Sequence, residues 1–329
     1  MPPLITSTFT ADPSAHVFNG RVYIYPSHDR DTGTENNDNG DQYDMADYHV
    51  FSVPSLHPSP GPVTDHGVVL RAEDIPWVSK QLWAPDAASK NGKYYLYFPA
   101  RDKDGVFRIG VAEGDSPEGP FTPDPEPISG SYSIDPAAFV DDDGQAYLYF
   151  GGIWGGQLQC YQGATASSYD ASWQKRGERS GPSEAAQGPR VAKLTDDMHQ
   201  FDGDVKEITI LAPETGEPIP ADDHARRFFE AAWLHKRGGE YYFSYSTGDT
   251  HFLCFARGKS PLGPFTYGGR ILEPVLGWTT HHSIAEVEGR TYLFYHDCEL
   301  SKGVDHLRSV KVKEIFYDDK GDIITTTSD

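Results

Sequence analysis

Five stretches of this chain end alike, with a glycine, two residues, a tyrosine and then more aromatics. They are DPSAHVFNGRVYIY from Asp12, WAPDAASKNGKYYLYF from Trp83, DPAAFVDDDGQAYLYF from Asp135, EAAWLHKRGGEYYFSY from Glu230 and HHSIAEVEGRTYLFY from His281. The shared glycines are Gly20, Gly92, Gly144, Gly239 and Gly289, each followed by its tyrosine at Tyr23, Tyr95, Tyr147, Tyr242 and Tyr292. Each stretch reads as strand, tight turn, strand. Asn19-Gly20, Asn91-Gly92, Asp143-Gly144 and Gly238-Gly239 supply the positive φ that a two-residue hairpin needs. The tyrosine-rich second strands carry the nearly continuous apolar pattern of buried strands. A further repeat, Ser-Pro-x-Gly-Pro-Phe, closes GVAEGDSPEGPF from Gly110 and CFARGKSPLGPF from Cys254, and marks a turn after a third strand.

Successive tyrosines of the repeat lie 72, 52, 95 and 50 residues apart. Such intervals suit four-stranded propeller blades carrying insertions. Helical periodicity is scarce, which argues against a (β/α)₈ barrel. The expectation is therefore an all-β chain, a five-bladed β-propeller forming one domain over residues 1–329. Either Ile5–Phe9 or the tail after Arg308 is expected to close the ring.

In a propeller the innermost strand of every blade runs along the axis, so equivalent positions converge on one rim. Counting back from the shared glycine, Asp12 and His281 lie eight residues away, and Trp83, Asp135 and Glu230 nine. Neighbouring positions are small or apolar, at Ala15, Ala87, Ala138, Ala232 and Ile284. A single polar residue at a strand start is an ordinary cap. Three carboxylates at matched positions are a different matter, because clustered like charges cost stability unless they have a role. Paired carboxylates are the equipment of glycosidic bond hydrolysis, one protonating the leaving oxygen and the other activating water or attacking carbon. A neighbouring carboxylate raises the pKa of an acid, as a general acid at neutral pH requires. Trp83 offers a sugar ring an apolar face.

At these residues the chain resembles glycoside hydrolase family 43, from ADPSAHVFNG through LWAPDAA, SIDPAAFVDDDG and FFEAAW to HHSI and RSVKVKEIFYDDKGDI. The resemblance implies a five-bladed propeller that cleaves xylosides, arabinofuranosides or arabinans with inversion, and its pattern is closest to the exo-acting β-xylosidases. It implies Asp12 as general base, Asp135 as the carboxylate that orients the acid and raises its pKa, and Glu230 as general acid. Trp83 is implied as a pocket aromatic, and Thr247 and Arg308 as residues that hold sugar hydroxyls. His281 matches a histidine that binds a central Ca2+ largely through water, with His282 one register step away. The expected substrates are short xylo-oligosaccharides or arabinoxylan fragments. The alternatives are an α-L-arabinofuranosidase using the same acids, a non-catalytic carbohydrate-binding propeller, and a retaining fructosidase-like enzyme with Asp12 as nucleophile.

Composition narrows the partners. With 28 Lys and Arg against 49 Asp and Glu, the formal charge of −21 repels nucleic acid and anionic membrane. No apolar run is long enough to span a bilayer, and the N-terminus shows no signal-peptide pattern. Cys160, Cys254 and Cys298, an odd number at wide spacing, read as buried free thiols. A cytoplasmic location is the expectation, with a trimmed secreted chain as the alternative; the oligomeric state is left open. Asp141-Asp142-Asp143-Gly144 lacks the spacing of a calcium loop and reads as a turn. Asp29–Asp47, with seven acids, reads as an insertion of blade one that folds over the rim and narrows the pocket to exo action. His28 and Asp29 are expected to support the rim. Cys160–Asp223 reads as loops decorating blade three or four.

Overall fold

A computed structural model describes residues 2–278 and 281–327. Among the described residues, twenty strands arrange themselves into five sheets. Blade one contains β1 (Thr10–Phe18), β2 (Arg21–His28), β3 (Asp47–Val53) and β4 (Thr64–Arg71). Blade two follows with β5 (Asp86–Lys90), β6 (Lys93–Arg101), β7 (Phe107–Gly114) and β8 (Thr122–Pro123). Blade three is β9 (Ala137–Val140), β10 (Ala146–Phe150), β11 (Arg190–Lys193) and β12 (Lys206–Glu207). The short β13 (Ile210–Leu211) joins the outer edge of blade four, which is β14 (Glu230–Arg237), β15 (Glu240–Ser246), β16 (Leu253–Gly258) and β17 (Phe265–Leu272). Blade five has β18 (Ser283–Val287), β19 (Arg290–Asp297) and β20 (Ser309–Ile315). The first strands β1, β5, β9, β14 and β18 touch in that order around the axis, and β18 meets β1 again. This is the five-bladed propeller that the repeats imply.

Each repeat becomes the first hairpin of its blade. Asn19-Gly20, Asn91-Gly92, Gly238-Gly239 and also Glu288-Gly289 hold two successive positive φ values, as the turn demands. Asp143-Gly144 does not make the expected two-residue turn. There the loop spans residues 141–145 and only Gly144 has positive φ, because Asp141 closes it with backbone bonds to Gln145 and Gly144. The Asp141 carboxylate is tied to Lys236 and Tyr241 of blade four, so it serves a contact between blades. Both Ser-Pro-x-Gly-Pro-Phe turns follow third strands, β7 and β16, with Ser116 and Ser260 carbonyls accepting from Gly119 and Gly263.

The segment 160–223 is more than decoration. It supplies β11 and β12, the outer half of blade three, and β13, paired parallel to β17. Buried Arg190 organises it, donating to Tyr132 Oη and to the carbonyls of Gly188 and Tyr161. The stretch before β11 is irregular, with short 3₁₀ turns and one four-residue helix, Trp173–Arg176. Among the described residues no helix is long and apolar enough to cross a membrane. All three cysteines are free and buried.

Both chain ends take part in closure. Leu4 N–H donates to the Val310 carbonyl on β20 and Thr10 N–H to the Arg308 carbonyl, so the N-terminal segment lies between blades one and five. Beyond β20 the tail crosses to blade four, where Thr326 exchanges backbone bonds with Ile271 and Glu273 on and beside β17. Ile5 fills a cluster with Val22, Ile24, Val310 and Phe294, drawn from the first and last blades. Truncating a well-buried Ile costs about 2–5 kcal/mol. Ile5→Ala is therefore expected to lower the unfolding free energy in urea denaturation by that amount, shifting the midpoint down at unchanged m-value, and an unchanged midpoint would show that the segment does not latch the ring.

Candidate active site

Asp12, Asp135 and Glu230 stand where the inner strands begin, and the backbone there is bent to present them. Asp12 has φ 50 at a bulge of β1 between Ala11 and Ser14. Asp135, two residues before β9, has φ 58, and Ala231 has φ 63 in a bulge of β14 directly after Glu230. Bulges re-aim side chains, and positive φ at non-glycine residues is sustained only where the surroundings hold it in place. All three carboxyl groups open on one cavity of about 290 Å³ at the end of the axis, with Trp83, His281 and Arg308 also on its wall. That volume is at the small end for ligand sites.

The carboxylates are treated differently by their surroundings. Asp12 Oδ1 accepts from Arg308 (3.0 Å) and Oδ2 from the Ser27 hydroxyl (2.6 Å), while its own N–H donates to His296 Nδ1 (3.0 Å). Burial alone would raise its pKa. Arg308 foremost, with the Ser27 hydroxyl, outweighs that and holds Asp12 below the ordinary value, ionised. Glu230 is buried with its Oε1 unpartnered. Burial first, then the negative charge of Asp12, push its pKa up to about 8, so it carries a proton at neutral pH. Asp135 is also raised, by burial and by Glu230 and Asp12. Its Oδ2 accepts the Ala231 N–H (2.8 Å), which offsets part of that rise. The same bond fixes the backbone next to Glu230.

Arg308 is almost wholly buried, and Asp29 is its principal anchor. Nε and an Nη of the guanidinium donate to the two Asp29 oxygens (2.9 and 2.8 Å), and the Arg308 N–H donates to Asp29 Oδ2 (2.8 Å). The guanidinium also lies over the Tyr43 ring, 4.9 Å from its centroid.

The segment after Asp29 does fold over the rim. Asn36, Asn37, Asp38, Gly40, Gln42 and Tyr43 line the cavity. Trp83 holds this segment down: its indole N–H donates to the Tyr43 carbonyl (2.7 Å), and a Cβ on Gly40 would come within 2.6 Å of its ring. A second aromatic wall is formed by Trp154, stacked on Trp278 at 5.9 Å and edge-on to Phe229.

Thr247 does not reach the cavity. It is fully buried, and its hydroxyl is consumed closing the 247–252 loop against Phe252 N–H (3.0 Å) and the Thr250 hydroxyl (2.7 Å). The pocket residue from this part of blade four is Phe229, whose ring occupies the space a side chain at Gly248 would need. His281 faces the cavity with Nδ1 3.6 Å from Asp135 Oδ2, whereas His282 turns away to the Ser244 hydroxyl (2.6 Å). Burial lowers the pKa of both imidazoles, leaving His281 neutral and able to act as a ligand. Among the described residues no three His, Cys, Asp or Glu donors gather around His281. A cation at His281 would take the imidazole as one ligand and the rest of its shell from water.

Tyr43, His296 and the Trp154–Trp278 wall were not assigned to the site from the sequence, whereas Asp29 was expected to support the rim and does so by holding Arg308. Asp29 and His296 follow the same signal: polar residues at the ends of aromatic second strands, YPSHD and YHD, where the chain emerges at the rim.

The family model for glycosyl hydrolases family 43 matches residues 4–323. The chain belongs to this family of glycoside hydrolases. It is 76% identical over 325 residues to a xylosidase/arabinosidase 43A of Humicola insolens, covering 99% of both chains. It is 53% identical over 319 residues to a β-xylosidase of Xylanibacter ruminicola, covering 97% of each. Among solved structures it superimposes on a family 43 β-xylosidase/α-arabinofuranosidase from a compost metagenome, in complex with xylotriose in a calcium-free form. That match has a TM-score of 0.92 and 59% identity, over 99% of this chain and 97% of the other.

Glu230 also leaves a thermodynamic signature. Its folded pKa of about 8 lies above the unfolded value of 4.5, so its ionisation opposes folding. The penalty is absent below the unfolded pKa, grows as pH rises between the two values and is complete above about 8. Glu230→Gln should raise Tm little at pH 5 and by several degrees at pH 8.5. A Tm difference independent of pH would contradict the raised pKa.

Proposed function

We propose that this glycoside hydrolase is an inverting exo-β-xylosidase that releases xylose from the non-reducing end of short xylo-oligosaccharides. The observation that carries this reading is a protonated Glu230 and an ionised Asp12 opening on the same small cavity, closed on one side by the 29–46 segment. Asp12 takes a proton from a water as the water oxygen bonds to the anomeric carbon. Glu230 delivers its proton to the glycosidic oxygen as the bond to that oxygen breaks. Asp135 acts as a positioning residue through Ala231 N–H. Arg308 keeps Asp12 charged and, with the aromatic walls, frames the terminal sugar. An α-L-arabinofuranosidase activity in the same pocket is the second reading, favoured by close relatives named for both activities.

Proton NMR on xylotriose tests the mechanism directly: α-xylose should appear before mutarotation, and β-xylose would overturn water attack. Glu230→Ala should lose far more kcat/KM on xylobiose than on an aryl xyloside with a good leaving group, since the latter needs little protonation. Equal losses would remove Glu230 from the role of acid.

We further propose that His281 holds Ca2+ largely through water, placing positive charge beside three acids. A calcium-selective chelator should lower activity and added calcium restore it, with His281→Ala indifferent to both. Indifference of the unmodified enzyme would count against the site.

A further inference from the structure

The two ends of the pocket segment meet in a cluster that the reaction does not use. His28 ends β2, Asp47 opens β3, and His49 follows on the same face of that strand. His28 Nδ1 lies 2.6 Å from Asp47 Oδ1, His49 Nε2 lies 4.0 Å from the same oxygen, and the two rings meet edge to face with centroids 4.7 Å apart. One donor atom of each residue is within 4.8 Å of the others; among the described residues no other three His, Cys, Asp or Glu side chains converge so closely. All three are half-buried.

Each imidazole is also held from behind. His49 Nδ1 bonds to Asp65 Oδ1 (3.0 Å) and His28 Nε2 to Thr8 Oγ1 (3.0 Å), which leaves the opposite nitrogen of each ring facing Asp47. A ring nitrogen anchored on a carboxylate or hydroxyl, with the other directed at a shared point, is the arrangement that orients histidines as metal ligands. Asp47 supplies an anion there. Burial works against its charge, but His28, His49 and Arg71 outweigh it and hold the carboxyl below its usual range.

We propose that His28, Asp47 and His49 form a site for a divalent transition metal, with zinc the leading candidate, bound by two imidazole nitrogens and one carboxylate oxygen with water completing the shell. Two imidazoles favour zinc and its first-row neighbours over calcium or magnesium, which take oxygen. On binding, the metal displaces the proton between His28 and Asp47. The site would clip together the two ends of the segment that covers the pocket, one residue from the Asp29 that anchors Arg308.

The test is a titration of the chelator-stripped enzyme with Zn2+ by calorimetry and with Co2+ by visible absorption, in calcium-containing buffer so that the His281 region stays saturated. The unmodified protein should bind one equivalent with a cobalt d–d band and a zinc-dependent rise in Tm. His49→Ala and Asp47→Asn should lose both, whereas His57→Ala, altering an exposed histidine, should lose neither. Asp65→Asn should weaken zinc binding about 10- to 100-fold. His49→Gln serves as a second variant should His49→Ala fail to fold by circular dichroism. No cobalt band in the unmodified protein, or the same band and Tm shift in the Asp47 and His49 variants, would overturn the site.

Discussion

The guanidinium of Arg308 sits at the seam of the ring and at the heart of the site. It comes from the last blade, immediately before β20, and reaches two carboxylates of the first blade, Asp12 and Asp29. Burying such a group is costly unless its donors are satisfied, and here the paired carboxylates satisfy most of them in bidentate and single contacts. The contact that joins the ends of the propeller is therefore also the one that keeps Asp12 ionised. Ring closure and the ability of Asp12 to accept a proton depend on one side chain.

From this seam the division of labour among the acids follows. Asp12, Asp135 and Glu230 start from nearly equivalent strand positions, yet among the described residues only Asp12 has a cation at hydrogen-bond distance. Glu230 faces the cavity with an oxygen left unpaired, and Asp135 spends an oxygen on the backbone beside it. Equal chemistry in unequal surroundings gives one group that accepts a proton and one that delivers it. The low dielectric of a small buried cavity magnifies the difference.

Apart from Asp12 on β1 and Glu230 on β14, the pocket wall is built from irregular chain. Trp83 precedes β5 and pins the 36–43 stretch by a hydrogen bond to Tyr43 and by contact with Gly40, so the blade-two aromatic holds the blade-one insertion in place. Cluster and closure are linked here too, because His28 and Asp47 mark the two points where this insertion leaves and rejoins its blade. Loops of this kind carry specificity because the propeller beneath them is rigid.

Much of this was legible in the residues. The Gly-x-x-Tyr repeat determined five hairpins and their radial arrangement, because hairpin turns and buried strands are local requirements of backbone and side-chain pattern. Matched offsets from the shared glycine placed Asp12, Trp83, Asp135, Glu230 and His281 around one mouth, since equivalent strand positions must converge on an axis. Tertiary structure alone decided the rest. Thr247 lies in a plausible motif, but its hydroxyl is consumed by a loop six residues long at most, which no strand count reveals. Outer strands β11 and β12 are too short to show a period; β11 forms only against β10, and β12 only against β11. Asp29 bonds Arg308 across 279 residues of chain, and Trp154 meets Trp278 across 124. Local pattern is written in neighbouring residues; charge state and cavity shape arise from groups distant in sequence, and only the folded chain brings them together.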